Sequence, residues 1–322
     1  GTQSNITVNP GAATTLTVAG ITDPVVAGTA SNVTVTAKDA YNNTASGYTG
    51  TVTFTSTDSA ATLPANYTFV GGDAGVRTFT GGVTMKTVGE RSVTATDTIT
   101  GSITGSQTSI TVTPAAAATL TVSGVTDPIV AGVTSNVTVT AIDAYSNTAT
   151  GYTGTVTFTS SDAQATLPSN YTFVGGDAGT RTFTSGVTLK TAGERTVTAT
   201  DTVTGSITGT QSNITVTPGT AASLLVNGII SPVVAGSTRS VVVTAQDTYG
   251  NTATGYTGTV AFTSSDSAAS LPGNYAFVGG DSGTHTFTGG VTLVTAGTHS
   301  VTATDTVPSR INGSQTSITV VA

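Results

Sequence analysis

The sequence predicts an all-β protein built as three tandem β-sandwich domains. Three observations carry this. Near-identical segments recur at a fixed step of 104 residues, marked by Pro24, Pro128 and Pro232. Within each copy apolar and polar residues alternate with the period of two that a half-buried strand requires. Thr makes up about a quarter of the chain, and this β-branched residue favours strands over long helices.

The step sets the domain organisation. Gly47-Tyr48-Thr49-Gly50 recurs at Gly151 and Gly255, and Leu63-Pro64 recurs at Leu167 and Leu271, with no insertion or deletion. A unit of this length exceeds a solenoid coil of roughly 20–45 residues. It fits a small domain near the common ~100–150 residues. The frames are 11–114, 115–218 and 219–322. Residues 1–10, GTQSNITVNP, repeat the words that close each unit at Gly105, Gly209 and Gly313. They are expected to be an extra strand, the closing strand of an upstream repeat.

In the first unit the strands read off in order. Leu16 and Val18 alternate with Thr15 and Thr17, and Val33, Val35 and Ala37 with Asn32, Thr34 and Thr36. Val52 and Phe54 follow among Thr51, Thr53 and Thr55, then Tyr67 and Phe69 around Thr68. Phe79, the pair Val83 and Met85, the pair Val93 and Ala95, and the pair Ile110 and Val112 complete the set. Asp39-Ala40-Tyr41-Asn42-Asn43, Gly71-Gly72-Asp73 and Gly81-Gly82 are expected to be turns between them. Seven or eight short strands in such a length predict a β-sandwich. Leu16, Val18, Val33, Val35, Val52, Phe54, Phe69, Phe79, Val93, Ile110 and Val112 should form its core. The nine Tyr and nine Phe fall three of each per repeat, which favours packing roles for most of them.

Composition excludes several classes. The net charge of −7, with 8% charged residues, lacks the basic face of a nucleic-acid binder. The 37% of hydrophobic residues, regularly spaced, argues against a disordered acidic tail. With no Cys there is no disulfide, thiol chemistry or Cys-based metal site. No apolar run reaches the roughly 20 residues that span a bilayer. The chain begins with Gly1 and its one Met is Met85, as expected of a piece of a longer protein.

Candidate chemistry is sparse. His285 and His299 stand where the sister repeats carry Arg77, Arg91, Arg181 and Arg195, so neither reads as a catalytic base. No catalytic or phosphate-binding motif is present. Asp39, Asp58, Asp73 and Asp97 recur in every copy, as Asp143, Asp162, Asp177 and Asp201 and as Asp247, Asp266, Asp281 and Asp305. Asp23 recurs as Asp127 but becomes Ser231. These Asp lie apart in sequence with no D-x-D-x-D cluster. Turn formation and Ca²⁺ binding both remain open for them. No catalytic, cofactor-binding or metal residue is assigned. An isopeptide cross-link needs a Lys, but Lys38 becomes Ile142 and Gln246, and Lys86 and Lys190 become Val294. A flat Thr grid for ice binding conflicts with sheet twist. Sequons at Asn5, Asn32, Asn42, Asn66, Asn136, Asn170, Asn213 and Asn312 match often by chance in so Thr-rich a chain.

Four stretches carry a family resemblance: AATTLTVAG from Ala12, VTVTAKDAYNN from Val33 with its copies at Val137 and Val241, GYTGTVTFTS from Gly47, and TAGERTVTATD from Thr191. The unit resembles the tandem bacterial Ig-like repeats of large surface proteins, of invasin/intimin type and of giant-adhesin stalks. The resemblance implies Ig-like sandwiches in an elongated rod, outside the cell at its surface. It implies a non-enzymatic stalk or spacer of an adhesin, with neighbouring Ig-like repeats as partners. It also implies Ca²⁺ at some domain junctions. No nucleic acid and no membrane insertion are expected. The alternative is a filament subunit that donates Gly1–Pro10 to a neighbour's sheet. A glycan-binding module is a third reading, but no aromatic platform supports it. At the junction Ile110–Thr113 runs through Pro114 and an Ala run into Leu120, without a flexible Gly/Ser linker, which predicts a semi-stiff joint. The third repeat drifts most, at Ser231, at Val307-Pro308-Ser309-Arg310 and at Val320-Val321-Ala322.

Overall fold

In the computed structural model, which describes residues 1–306 and 311–322, the alternating runs become strands in the expected order. The first repeat holds β1 (Thr15–Ala19), β2 (Val25–Val26), β3 (Ala30–Lys38), β4 (Thr51–Ser56), β5 (Tyr67–Thr68), β6 (Val76–Thr84), β7 (Gly89–Asp97) and β8 (Thr104–Thr113). One sheet is ordered β1-β3-β6 and the other β2-β8-β7-β4-β5. β2 runs parallel to β8, and the remaining pairs are antiparallel. This is the Ig arrangement, with β1, β3 and β6 of one sheet facing β8, β7 and β4 of the other. The second and third repeats follow the same order as β9–β16 and β17–β24. β9 (Ala117–Ser123) and β17 (Ser223–Asn227) open them, and β16 (Thr208–Thr217) and β24 (Asn312–Val321) close them. The variant stretch Val307–Arg310 lies outside the described residues.

The period of two works as a sorting device. Leu16, Val18, Val33, Val35, Val52, Phe54, Phe69, Val93, Ile110 and Val112 all turn inward and are buried. Phe79 is half-buried and meets Phe54 edge-on, with ring centroids 5.1 Å apart. Each repeat has its own apolar core, and the three cores are separate clusters. The Thr between these residues line up across strands. Thr34 and Thr78 hydroxyls lie 2.8 Å apart, as do Thr51 and Thr68. Thr hydroxyl pairs of this kind stabilise the wet face of a sheet by roughly 0.2–1 kcal/mol each.

Three local features differ from the sequence reading. Val76–Thr84 is a single strand, because Gly81-Gly82 forms a bulge rather than a turn. Asn32 Oδ1 accepts from Gly81 N at 2.8 Å and holds the extra residues of β6 out of register. Gly71–Asp73 is a 3-10 turn, and the left-handed residue is Ala74 (φ 47°). Asp73 Oδ2 accepts from Val70 N at 2.8 Å and closes that turn. β2 is an added strand. It forms because Gln107 in β8 bonds both backbone groups of Ile21, Oε1 to the N–H at 3.0 Å and Nε2 to the carbonyl at 2.8 Å. That pulls the chain across from the first sheet to the second.

Residues 1–10 form no strand and are exposed, Ile6 by 66% and Val8 by 83%. The first domain offers them no slot, since β8 already fills the closing position between β2 and β7.

Candidate functional site

The feature that the sandwiches build together is the joint between consecutive repeats. β8 ends at Thr113 and β9 begins at Ala117, so three residues connect them. Pro114 removes one backbone donor from that link. Ala115 N donates to Asp143 Oδ2 at 3.0 Å, which ties the link to the second domain.

Asp143 ends β11 (Thr134–Asp143) and shapes the loop after it. Its Oδ1 accepts from Tyr145 N at 2.8 Å and Asn147 N at 2.9 Å. An Asp side chain that caps backbone two and four residues on is a turn former. Burial pushes the Asp143 carboxyl up. The Asn147 side chain and the N–H groups of Asn147, Ala115 and Tyr145 outweigh this and hold it below the usual carboxylate range.

The loop then reaches across to the first domain. Asn147 Nδ2 donates to Lys86 O at 2.8 Å, and Asn147 Oδ1 accepts from Val88 N at 3.0 Å. The second Nδ2 proton goes to Asp143 Oδ2 at 2.9 Å. One amide therefore has both donors and an acceptor engaged. The ring of Tyr145 lies against Gly28 in the turn after β2, where a β-carbon would overlap it.

The receiving turn, Lys86 to Val88, is itself held. Asp58 Oδ2 accepts from Lys86 N at 2.7 Å and Thr87 N at 3.0 Å, and Asp58 Oδ1 accepts from the Thr87 hydroxyl at 2.7 Å. Arg91 Nε donates to Thr87 O at 3.0 Å and its Nη2 to Val88 O at 2.7 Å. The turn thus presents Lys86 O and Val88 N in fixed positions.

The second joint repeats the first atom for atom. Asn251 Nδ2 donates to Lys190 O at 2.7 Å, and its Oδ1 accepts from Ala192 N at 2.8 Å. Asp247 Oδ2 accepts from Gly219 N at 2.9 Å. Asp162 holds Lys190 N and Thr191 N at 2.6 and 2.9 Å. The ring of Tyr249 lies against Gly132.

The recurring carboxylates divide by role. Asp58 and Asp143, with their counterparts, build the two sides of the joint. Asp73 accepts from the Tyr67 hydroxyl at 3.0 Å as well as from Val70 N. Asp97 accepts from the Tyr48 hydroxyl at 2.5 Å and from Thr100 N at 2.8 Å, and Gly50 is required where a β-carbon would overlap both side chains. Asp23 Oδ1 accepts from Thr111 N at 2.9 Å, and the Ser231 hydroxyl accepts from Thr319 N at the same distance. Among the described residues no three acidic or His side chains gather as a metal site would need. His285 takes the Arg77 place, stacked on Tyr275 at 3.9 Å and bonded to Asp281 at 2.9 Å. His299 Nε2 lies 2.8 Å from Thr295 O, the bond that Arg91 makes in the first repeat.

Tyr145 and Asn147 were not singled out from the sequence. Of the repeated aromatics, for most of which packing roles are expected, Tyr41 is exposed, while Tyr145 and Tyr249 pack across the joints, Tyr249 partly buried against the core of the second repeat. The available signal was their place between Asp and Asn in a turn, outside any alternating run.

Among solved structures the chain is similar to FdeC, an Escherichia coli adhesin, at 21% identity over 99% of this chain and 100% of that one, with a TM-score of 0.41. It is also similar to invasin, a bacterial integrin-binding protein, at 21% identity over 95% of this chain and 60% of that one, with a TM-score of 0.34. A third is InvD of Yersinia pseudotuberculosis, at 21% identity over 94% and 96% of the two chains, with a TM-score of 0.35. No family model matches the chain, and no curated protein matches it. No helix among the described residues is long and apolar enough to cross a membrane.

Proposed function

We propose that the chain is a non-enzymatic spacer in an extracellular bacterial surface protein of adhesin type, holding other parts of that protein at a set distance from the cell. The observation that carries this reading is the repetition of the joint. The same Asn amide bonds the same two backbone groups at both junctions. Adjacent domains locked in one way at every junction transmit direction along the array, which a spacer needs and a set of loosely tethered modules does not. Small-angle scattering of the dilute chain tests it. The expected result is an extended particle with little inter-domain flexibility. A compact globule, or a flexible string, overturns the reading.

A second reading, strand donation into a filament, is favoured by one observation. Asn5 has φ 61°, matching Ser109 (56°), Asn213 (56°) and Ser317 (59°) in the three closing strands. The unpaired segment keeps the bulged shape of a closing strand. Each of the three domains already has such a strand in place, so donation would require exchange. Electron microscopy of the concentrated chain tests it, with filaments expected that vanish when Gly1–Asn9 are deleted.

A further inference from the structure

The dipeptide Asn-Gly occurs twice in the chain, as Asn227-Gly228 and as Asn312-Gly313, and both copies lie in the third domain. The other repeats carry Ala19 and Ser123 in the place of Asn227, and Thr104 and Thr208 in the place of Asn312. The dipeptide has a chemistry of its own. A backbone nitrogen that follows Asn can attack the side-chain amide carbon. Gly, with no side chain, leaves that approach unhindered and its own backbone free to turn. The surrounding structure decides whether the reaction runs.

At Asn227 nothing opposes it. Asn227 is the last residue of β17, an edge strand, and both it and Gly228 are exposed. Among the described residues the Asn227 amide has no hydrogen-bond partner, and neither has the Gly228 N–H. Gly228 has φ +94° and lies just outside the ladder, so it can turn its nitrogen onto Asn227 Cγ. Asn312 is exposed as well, but its Gly is held. Gly313 lies inside β24, opposite Ala303 of β23 (Gly297–Asp305), and a β-carbon on it would overlap Leu224 O. Its backbone is gripped by one sheet and packed on the other.

We propose that Asn227 is a site of spontaneous deamidation, a modification that accumulates with age in the third domain and spares Asn312. The Gly228 nitrogen gives its proton to water and bonds to Asn227 Cγ. The bond from Cγ to Nδ2 breaks, and Nδ2 leaves as ammonia, which closes a five-membered succinimide. Water then opens the ring. Attack at Cγ gives Asp, and attack at the main-chain carbonyl carbon gives isoaspartate, in which the backbone runs through Cγ. Either product carries a negative charge where the amide was neutral. The isoaspartate also adds one carbon to the backbone. On either side of that carbon Val226 and Ile229 are both buried. Gln315 grips Ile229 as well, its Oε1 accepting from the N–H at 3.0 Å and its Nε2 donating to the carbonyl at 2.6 Å. The lengthened chain cannot keep both anchors in place, so the crossover from the first sheet to the second loosens. The inference stands independently of the spacer reading.

Ageing the full chain in warm, mildly alkaline buffer tests the proposal, with peptide mass spectrometry at intervals. Asn227 is expected to show the mass gain of an amide turned acid at least about tenfold faster than Asn312, which must first leave its ladder. In concentrated urea the two should react at similar rates, which assigns the difference to the fold. Labelling by a protein isoaspartyl methyltransferase reads the isoaspartate directly. Asn227→Ser, which installs the residue of the second repeat at that place, should abolish the labelling. The urea midpoint of the aged chain should fall, and that of aged Asn227→Ser should not. Asn227 left intact in the folded chain while it reacts in urea overturns the proposal. So does Asn312 reacting as fast as Asn227 in the folded chain, or labelling that persists in Asn227→Ser.

Discussion

The phenol of Tyr145 fills the space where Gly28 lacks a β-carbon, so the second domain rests on the first at a point that admits no other residue. Gly28 also has φ +83°, a conformation that side chains rarely adopt. Gly28→Ala therefore carries backbone strain and displaces Tyr145. Gly236→Ala carries similar strain at φ +78° in open space. Overpacking typically costs about 1–3 kcal/mol. Gly28→Ala, and likewise Gly132→Ala, should lose about that much more stability in urea than Gly236→Ala. Only the first two should loosen the joint in scattering.

Asn147 supports a second prediction. Asn147→Ala removes two bonds across the joint, each worth roughly 0.5–1.5 kcal/mol net. Asn147→Asp is expected to be worse, because a carboxylate oxygen would replace the donor that faces Lys86 O and Asp143. Asn43→Ala keeps the same loop context without bonds to another domain in the chain. Urea unfolding of the three variants should rank them Asn147→Asp lowest, then Asn147→Ala, then Asn43→Ala.

The sandwich was readable in the sequence because burial sorts side chains with a period of two. Ten of the eleven expected core residues of the first repeat are buried, and Phe79 is covered only in part because β6 is a sheet edge. The bulge at Gly81 was not readable as a bulge, since Gly-Gly is equally at home in a turn. The joint was not readable either. Its bonds link residues 59 and 61 apart in sequence, and the receiving side is backbone, which leaves no mark on residue identity. Only Gly28 and the Asp-x-Tyr-x-Asn pattern carry a trace of it.

Acid should unfold the protein from a definite starting point. Gly11 N–H, ahead of the Asn43 and Tyr41 groups, holds the Asp39 carboxyl down at about 2. At Asp58 burial raises the carboxyl, but the Lys86 and Thr87 donors outweigh it and the net is lowered. Asp97 is likewise lowered, by Thr100, Tyr48 and Ile99 against its burial. Such groups take up protons more readily in the unfolded chain, near pH 4, than in the folded one. Their stabilisation is complete above that pH and is lost as pH falls toward 2. The urea midpoint should be flat from about pH 5 to 8 and fall steeply below about pH 4.

Calcium offers the last test, and the donor geometry decides its expected outcome. Ca²⁺ takes six to eight oxygen ligands, usually with several carboxylates among them. At Asp58 both oxygens already accept bonds, from Lys86 N, Thr87 N, the Thr87 hydroxyl and Ala60 N. Asp143 and Asp247 are surrounded in the same way by N–H groups. An N–H directs its proton at the lone pair that a cation would need, and it cannot turn to become a ligand. Binding would thus cost the bonds that shape both sides of the joint. The melting temperature is expected to be equal in millimolar Ca²⁺ and in chelator. A saturable rise with Ca²⁺ would mean that these loops rearrange to expose their carboxylates, and the joint would then be a metal-dependent contact.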